Sequence, residues 1–226
     1  MAVAQIYPGQ TVAPNVVLDE KANVFVSTLD IFEDGGDIPF DDKDNYLVVS
    51  PYTEKEHVLD LRSLDKENAL LARALVHFKS LRPDYATAPY TETFNWDEVV
   101  GELTRLVREE GHDWKETSFY IVAFRSQIPP TTVYAELGVL DKAAHAEATA
   151  SGGFLKYWFG TPDQDGRNLA TCVWRSEQDA RQGGVGSAHR RAAGAARHLY
   201  SEWRIDRHRL IIREGLKSWD IVDWVD

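Results

Sequence analysis

Residues 118–126 have the sequence SFYIVAFRS, and they begin the stretch of chain that decides the fold. Aromatic and β-branched residues dominate this run and the prolines 129–130 follow it closely, so it is predicted to be a β-strand. A helix is predicted next, with Thr132 as its cap, Glu136 in its first turn and the glycines 152–153 at its end. One apolar stripe of this helix would face a sheet: Val133, Leu137, Leu140, Ala144 and Ala148.

A hairpin follows this helix. Residues 154–160 alternate in polarity as a strand does, residues 161–167 are dense in turn-forming residues, and residues 168–174 alternate again. Ser176 and Asp179 resemble a capping box, which predicts that a short helix begins directly after the hairpin.

A longer helix is predicted over 187–203, after glycines that interrupt the chain at 183, 184 and 186, and a final strand is predicted over 207–213. The inner stripe of this helix would contain His189, Ala193, Ala196, Tyr200 and Trp203. The order strand, helix, strand, strand, helix, strand is that of a ferredoxin-like domain, so the predicted fold class is α+β. This domain would occupy residues 115–226, including a C-terminal tail too apolar to hang free.

The first half of the chain divides into two further parts. Residues 1–44 are predicted to form an N-terminal extension with one strand, Asn23–Phe32, and an acidic loop. Residues 45–114 are predicted to supply a strand over 46–52 and two helices that pack on the main domain. The first helix would cover 66–81. The second would be capped by Asn95 with Glu98 and would bury Trp96, Val99, Val100, Leu103, Leu106 and Val107.

Composition limits the possible functions. The chain has 226 residues, 43% of them hydrophobic, and a net charge of −11, which argues against a nucleic-acid or anionic-membrane partner. A local exception is the basic stretch 187–217, which could pair with the acidic N-terminal half or attract an anionic ligand. No run is apolar enough to span a bilayer and no secretory signal is visible, so a cytoplasmic location is expected. The single cysteine, Cys172, is expected to be a small buried hydrophobic residue.

Short catalytic motifs for nucleotide binding or hydrolysis are absent from the sequence, so the candidate sites are individual residues. The glycine-rich segment 183–187 precedes a helix and is either a joint between two helices or an anion site. Asp141 and His145 lie four residues apart, a spacing at which a carboxylate can raise the basicity of an imidazole. His189 and Tyr200 share a stripe rich in alanine, which leaves room for a ligand unless aromatic side chains of the hairpin fill it.

The stretch 118–213 resembles the dimeric α+β barrel superfamily, and in particular its antibiotic-biosynthesis-monooxygenase-like branch. The resemblance rests on the β-α-β-β-α-β order and on the segment CVWRSE (172–177), which leads from a strand towards a helix carrying His189. The segments YSEW (200–203) and WDIVDW (219–224) also resemble a family of uncharacterised fungal proteins. The superfamily resemblance implies a homodimer of facing sheets, with a small-molecule pocket between each sheet and its helices. Its members include cofactor-free oxygenases, polyketide cyclases, haem-degrading enzymes and proteins without a known reaction.

This resemblance implies a cofactor-independent monooxygenase or cyclase that acts on an aromatic or polyketide-like molecule, without metal. His189 or His145 would accept a proton, Tyr200 would orient or donate, and Arg175 would stabilise negative charge. The residues expected to contact the substrate are Trp174, Tyr157, Trp158, Asn168 and Tyr120. A non-enzymatic dimeric binding or assembly module is the alternative. Haem binding is a further alternative, although Asp179 stands ten residues before His189, where haem-degrading relatives carry a tryptophan.

Overall fold

The computed structural model describes residues 45–225, so the predicted strand Asn23–Phe32 and the acidic loop lie outside the described residues. The described residues form seven strands and six α-helices, besides one-turn 3₁₀ helices. The strands are β1 (Tyr46–Val48), β2 (Val58–Asp60), β3 (Thr117–Gln127), β4 (Phe154–Phe159), β5 (Arg167–Trp174), β6 (Glu202–Ile212) and β7 (Trp219–Asp223). The helices are α1 (Lys66–Ala74), α2 (Tyr90–Thr93), α3 (Trp96–Glu109), α4 (Tyr134–Ser151), α5 (Glu177–Gly183) and α6 (Ser187–Leu199).

The main sheet has five antiparallel strands in the order β4-β5-β3-β6-β7. Its first four strands, connected through α4 and α6, have the order and connections of a ferredoxin-like domain, which confirms the predicted fold class. The apolar C-terminal tail is not loose, because it forms β7 and pairs with β6 at the edge of the sheet. At the opposite edge, the Tyr157 amide donates to the Val49 carbonyl at 2.8 Å, which attaches the first half of the chain to β4.

The two faces of this sheet have different neighbours. The helix face carries Tyr120, Val122 and Phe124 of β3, and α4 and α6 lie on this side, where the Tyr157 hydroxyl reaches Asp141 of α4. The layer face carries Ile121 and Ala123, which alternate with the helix-face residues and are fully buried.

Residues 58–114 cover the layer face. The Tyr90 ring stacks on His208 of β6 with centroids 4.7 Å apart, and its hydroxyl lies 2.9 Å from the Thr171 hydroxyl of β5. Phe94 packs edge-on against Trp158 of β4 at 5.0 Å. All six residues of the predicted α3 stripe are buried in the same core. The face that the superfamily resemblance assigns to a partner chain is therefore covered by this chain itself, so the predicted homodimer of facing sheets would require this cover to move away.

Several predicted boundaries were wrong because tertiary contacts override local pattern. The helix predicted over 187–203 ends at Leu199, since β6 begins at Glu202 and pairs along its whole length with β3. Tyr200 and Trp203 are therefore not helical. Thr132 does not cap α4, because its hydroxyl donates to the Leu199 carbonyl at 2.8 Å.

In the first half, two other predictions also differ from the structure. The helix predicted over 66–81 leaves α geometry after Ala74, and the strand predicted over 46–52 ends at Val48. The Asn95 side chain does not cap α3; its oxygen accepts from the Lys79 amide at 2.8 Å. By contrast, Ser176 caps α5 as predicted, with its hydroxyl oxygen accepting from the Asp179 amide at 3.1 Å.

Candidate functional site

The region between the helix face and the helix pair α4 and α6 is the one predicted to hold a ligand, and we call it the cleft. Its floor side chains, among them Val122, Ala170 and Cys172, retain accessible surface, whereas Ile121 and Val173 on the layer face have none. Two faces of one sheet thus differ in packing: the layer face is closed and the helix face is partly open. A ligand-sized hollow in this region stays a prediction, and two pockets of the described residues lie elsewhere, one beside residues 76–79 and α3 and one between residues 87–91 and β6.

Asp141 of α4 is the acid of the cleft, partly buried as a residue and with a desolvated carboxyl group. The Tyr157 hydroxyl on β4 and the Tyr52 hydroxyl each donate a hydrogen bond of 2.5 Å to a separate oxygen of its carboxylate. Tyr52 lies before β2, so the two donors come from different halves of the chain. Charge-assisted O–H···O⁻ bonds of this length are among the strongest that proteins contain. The carboxylate is held firmly in place.

Burial dominates the protonation of this group. Desolvation raises the pKa of Asp141, and the two tyrosine hydroxyls only partly oppose the shift. Burial and the adjacent Asp141 charge hold the pKa of Tyr157 well above its ordinary value, so Tyr157 stays a donor. A carboxyl group with a raised pKa is a more effective proton acceptor and donor near neutral pH than an exposed one.

His145 does not pair with Asp141, although both lie on α4 as predicted. Its Nδ1 is 2.8 Å from Nδ1 of His57, which belongs to the 3₁₀ turn Lys55–His57, and both rings are buried. Burial lowers the pKa of His145 to about 3 and also lowers that of His57. The pair is therefore neutral at physiological pH, with one Nδ1 donating to the other.

His189 binds Glu147 of α4 rather than an open pocket. Its Nδ1 lies 2.9 Å from the Glu147 carboxylate, which also accepts from the amides of Ala188 and His189 at 3.1 and 3.0 Å. These amides form the N-terminus of α6, the place where the glycine segment 183–187 could have held an external anion. The protein's own carboxylate occupies that position, so the segment is a joint between α5 and α6.

Tyr200 lies at the C-terminal end of α6 with its ring against Phe124 of the helix face, at 5.5 Å between centroids. Burial raises its pKa to about 12, and the charge of Asp141 adds to the shift. Burial likewise raises the pKa of Cys172 to about 12, with a further contribution from Asp141. His189 acts on Asp141 in the opposite sense. Tyr200, Cys172 and His189 therefore lie within electrostatic range of Asp141.

The remaining predicted residues are distributed around this centre. Arg175 is paired with Asp179 through two hydrogen bonds of 2.7 and 2.9 Å, and Asn168 donates to the Gly160 carbonyl. Trp158 lies on the layer face against Phe94, away from the cleft. Trp174 is buried and donates to the Cys172 sulfur at 3.0 Å, while Tyr120 packs edge-on against Trp224.

Sequence analysis missed Tyr52 and His57. Both lie in an irregular segment before β2, and no local pattern marks them, because their partners are Asp141 and His145, almost ninety residues further along the chain. The predicted partner of Asp141, His145, was wrong, since its carboxylate accepts from Tyr52 and Tyr157. Among residues 45–225, no three His, Cys, Asp or Glu side chains converge as metal ligands, and no described helix is long and apolar enough to cross a membrane.

The strand order and the helices α4 and α6 on one face define a ferredoxin-like domain. Solved structures with this likeness include SnoaB, a cofactor-independent oxygenase from Streptomyces nogalater, at 18% identity and a TM-score of 0.34, over 38% of this chain and 89% of that one. Rv0793 from Mycobacterium tuberculosis matches at 14% identity and a TM-score of 0.34, over 49% of this chain and 97% of that one.

The chain belongs to the PB2B2.08-like family, whose model matches residues 48–223. UPF0643 protein PB2B2.08 of Schizosaccharomyces pombe is 41% identical over 187 residues, which cover 77% of this chain and 82% of that protein. The match includes both the ferredoxin-like domain and most of the layer over it. The resemblance of the C-terminal segments to a fungal family is thereby confirmed.

Proposed function

We propose that the cleft binds a flat aromatic or polyketide-like molecule and that Asp141 takes a proton from it. The observation that carries the proposal is a buried carboxyl group, fixed by two tyrosine hydroxyls, beside side chains that keep accessible surface. Aromatic side chains such as Tyr157 and Phe124 suit a flat ligand. The Asp141 carboxylate would take a proton from an acidic C–H or O–H group of that ligand, which leaves the negative charge on the ligand.

The reaction class is cofactor-independent oxygenation, with cyclisation as its close variant. Removal of a proton from an activated methylene leaves a delocalised carbanion, which gives electrons to dioxygen and forms a peroxide. Loss of water then leaves a carbonyl group, so one oxygen atom enters the substrate and the other leaves as water. In the cyclase variant the same carbanion attacks a carbonyl carbon of the substrate.

The roles of the surrounding residues follow from their positions around Asp141. Tyr52 and Tyr157 position the carboxylate, Tyr200 orients the ligand, and His189 supports the α6 side of the cleft through Glu147. Arg175 is committed to Asp179, and His145 to His57, so neither is assigned the proton-transfer step. We also propose that this protein acts in the cytosol and needs neither a metal nor a cofactor.

The test uses anthrone, a flat tricyclic ketone with an acidic methylene group. We expect tryptophan-fluorescence quenching to report its binding and an oxygen electrode to report its turnover. Asp141→Asn should bind the probe as the wild type does but lose at least about a hundredfold in oxygen uptake. Asp97→Asn, an exposed carboxyl on α3, is the matched control and should behave as wild type.

Full turnover by Asp141→Asn would reject the role of this carboxylate. Absence of probe binding, together with no small molecule in native mass spectra of the purified protein, would instead favour the non-enzymatic binding or assembly module. The exposed tryptophan Trp203 and the strand β7 are the features that favour this second candidate. Haem binding would be detected by a Soret shift on addition of hemin.

A further inference from the structure

The outer edge of strand β6 is paired over only part of its length. β6 pairs with β3 along all of Glu202–Ile212, but β7 pairs only with residues 208–212. Beyond β7, the Trp224 amide donates to the Arg207 carbonyl at 2.9 Å, and no described strand continues from there. Among the described residues, 202–206 therefore have a neighbouring strand on one side only.

The hydrogen bonds at the β7 side show which backbone groups of this edge point outward. The Arg207 carbonyl and the Arg213 amide both bond on that side, and in an antiparallel strand every second residue directs its N–H and C=O groups the same way. Trp203 and Ile205 therefore direct theirs away from β3. Both residues are about half exposed, at 46% and 50%. Two further pairs of donor and acceptor are thus placed for a strand in line with β7.

A groove of about 730 Å³ lies along this edge. Its lining includes residues 87–91, residues 204–208 of β6, and the end of β7 with Trp224. Successive residues of a strand point to opposite faces of the sheet, so a groove lined by all of 204–208 lies at the edge and not on one face. Residues 202–206 span roughly 17 Å, which is the length of a short added strand.

The two faces of this edge differ in chemistry. The helix face carries the apolar side chains of Trp203 and Ile205. The layer face carries Arg204, which is exposed and forms an ion pair with Asp206 at 3.3 Å. Asp206 is shared with Arg125, to which it is bound at 3.1 Å. A complementary strand would therefore place apolar side chains on the helix face and a carboxylate opposite Arg204.

A second copy of this chain does not have that complementarity. An antiparallel pairing of two β6 edges that uses both Trp203 and Ile205 of each copy is centred on Arg204. It would place two Arg204 side chains directly opposite each other, and like charges in that position destabilise a sheet. The occupant that fits the edge is a different polypeptide.

We propose that this edge binds an extended, acidic peptide of a partner protein, which adds a strand to the sheet in line with β7. The peptide would run antiparallel to β6, with two apolar side chains opposite Trp203 and Ile205 and a carboxylate opposite Arg204. Main-chain hydrogen bonds would supply affinity, and the alternating side chains would supply selectivity. The proposal does not depend on the proposed function, because it concerns the edge of the sheet and not the cleft.

Fluorescence anisotropy of a labelled peptide tests this with the full chain. The probe is fluorescein-labelled Thr-Ile-Glu-Val-Thr, whose Ile and Val would lie opposite Ile205 and Trp203 and whose Glu would lie opposite Arg204. We expect saturable binding. The matched probe Thr-Pro-Glu-Pro-Thr lacks the two N–H groups that would donate to β6, so it should bind at least about tenfold more weakly.

A charge exchange tests the side-chain match. Arg204→Glu should weaken binding of the Glu probe about fivefold and should prefer the probe Thr-Ile-Lys-Val-Thr. Arg108→Glu, at an exposed position of α3, is the control and should bind both probes as the wild type does.

Three results would overturn the proposal. Equal affinity for the alternating and the proline probe would show that no strand is added. Unchanged preference in Arg204→Glu would show that a carboxylate does not lie opposite this residue. Absence of saturable binding at millimolar protein would show that the edge does not take such a peptide, and a mass of two chains under the same conditions would assign the edge to a second copy.

Discussion

Asp141 illustrates, at the scale of single residues, how far the sequence could predict the candidate site. Its place on α4 could be predicted from the sequence, because the apolar periodicity and the glycines 152–153 mark that helix. Its partner could not, since the choice between His145, four residues away, and Tyr52, on a distant segment, depends on where residues 49–57 cross the β4 edge. Only tertiary structure determines that crossing.

The buried pair of His57 and His145 should make the stability of the protein sensitive to acid. The pKa of His145 is lowered to about 3 by burial, so between this value and the ordinary 6.5 the unfolded chain binds a proton that the folded chain does not. Stability should therefore fall as the pH drops below 6.5, by about 1.4 kcal/mol per unit from His145 alone. The raised pKa of Asp141 has the opposite sign, because its folded form retains a proton longer as the pH rises.

His145→Gln isolates this contribution. In urea unfolding at pH 7, 6 and 5, we expect the variant to lose less stability per pH unit than the wild type, even if it is less stable at pH 7. His198→Gln, at an exposed position of α6, is the control and should keep the wild-type slope. Parallel slopes for wild type and His145→Gln would contradict the assignment.

At the scale of elements, the strands and helices of the ferredoxin-like domain were predictable because each has a strong local signal. Gly152 and Gly153, with φ of 87° and 73°, end α4 where a residue with a side chain would be strained. The end of α6 was not predictable. Residues 200–203 contain no helix-breaking residue, but the strand β6 begins at Glu202, which pairs with Gln127 of β3.

Replacing each of two glycines at α6, Gly186 and Gly194, by alanine should change the stability of the protein in opposite directions. A Cβ at Gly186 would overlap the Glu147 carboxyl group, which must then leave the amides of Ala188 and His189. Gly186→Ala should therefore lower the thermal midpoint. Gly194 lies within the helix with open space around it, so Gly194→Ala should stabilise the protein by about 0.5–1 kcal/mol through helix propensity.

Calorimetry of the two variants measures this difference. Because both exchange glycine for alanine within nine residues, effects on the unfolded chain largely cancel in the comparison. A midpoint for Gly186→Ala at or above that of Gly194→Ala would show that Glu147 does not hold the start of α6.

At the scale of the whole molecule, the first half of the chain was predicted to pack on the C-terminal sheet, but nothing in its pattern indicated which face. Arg125 explains why the layer face is the one that the first half of the chain covers. It lies on the layer face, where the hydrophobic pattern would place an apolar residue, and it is 8% exposed. A buried arginine must find acceptors, and here they are supplied by the loop between α1 and α2.

Arg125 should therefore be a main connection between the two halves. Its guanidinium donates to the carbonyls of Tyr85, Ala86 and Ala88 at 3.1, 2.6 and 2.7 Å, and to Asp206 of β6 at 3.1 Å. Arg125→Met should cost about 3–5 kcal/mol, since the buried acceptors lose their donor. Arg105→Met, on the exposed side of α3, should cost less than about 1 kcal/mol. Urea unfolding of both variants measures the difference, and equal losses would contradict it.

The covered layer face also determines the expected oligomeric state. A barrel of two chains needs that face bare, yet Ile121, Ala123, Leu169 and Leu210 are fully buried under residues 58–114. Uncovering it would expose the core of the protein, a cost far larger than a dimer interface returns. Light scattering after size exclusion should therefore give the mass of one chain, 25.6 kDa. A mass of two chains would contradict this expectation.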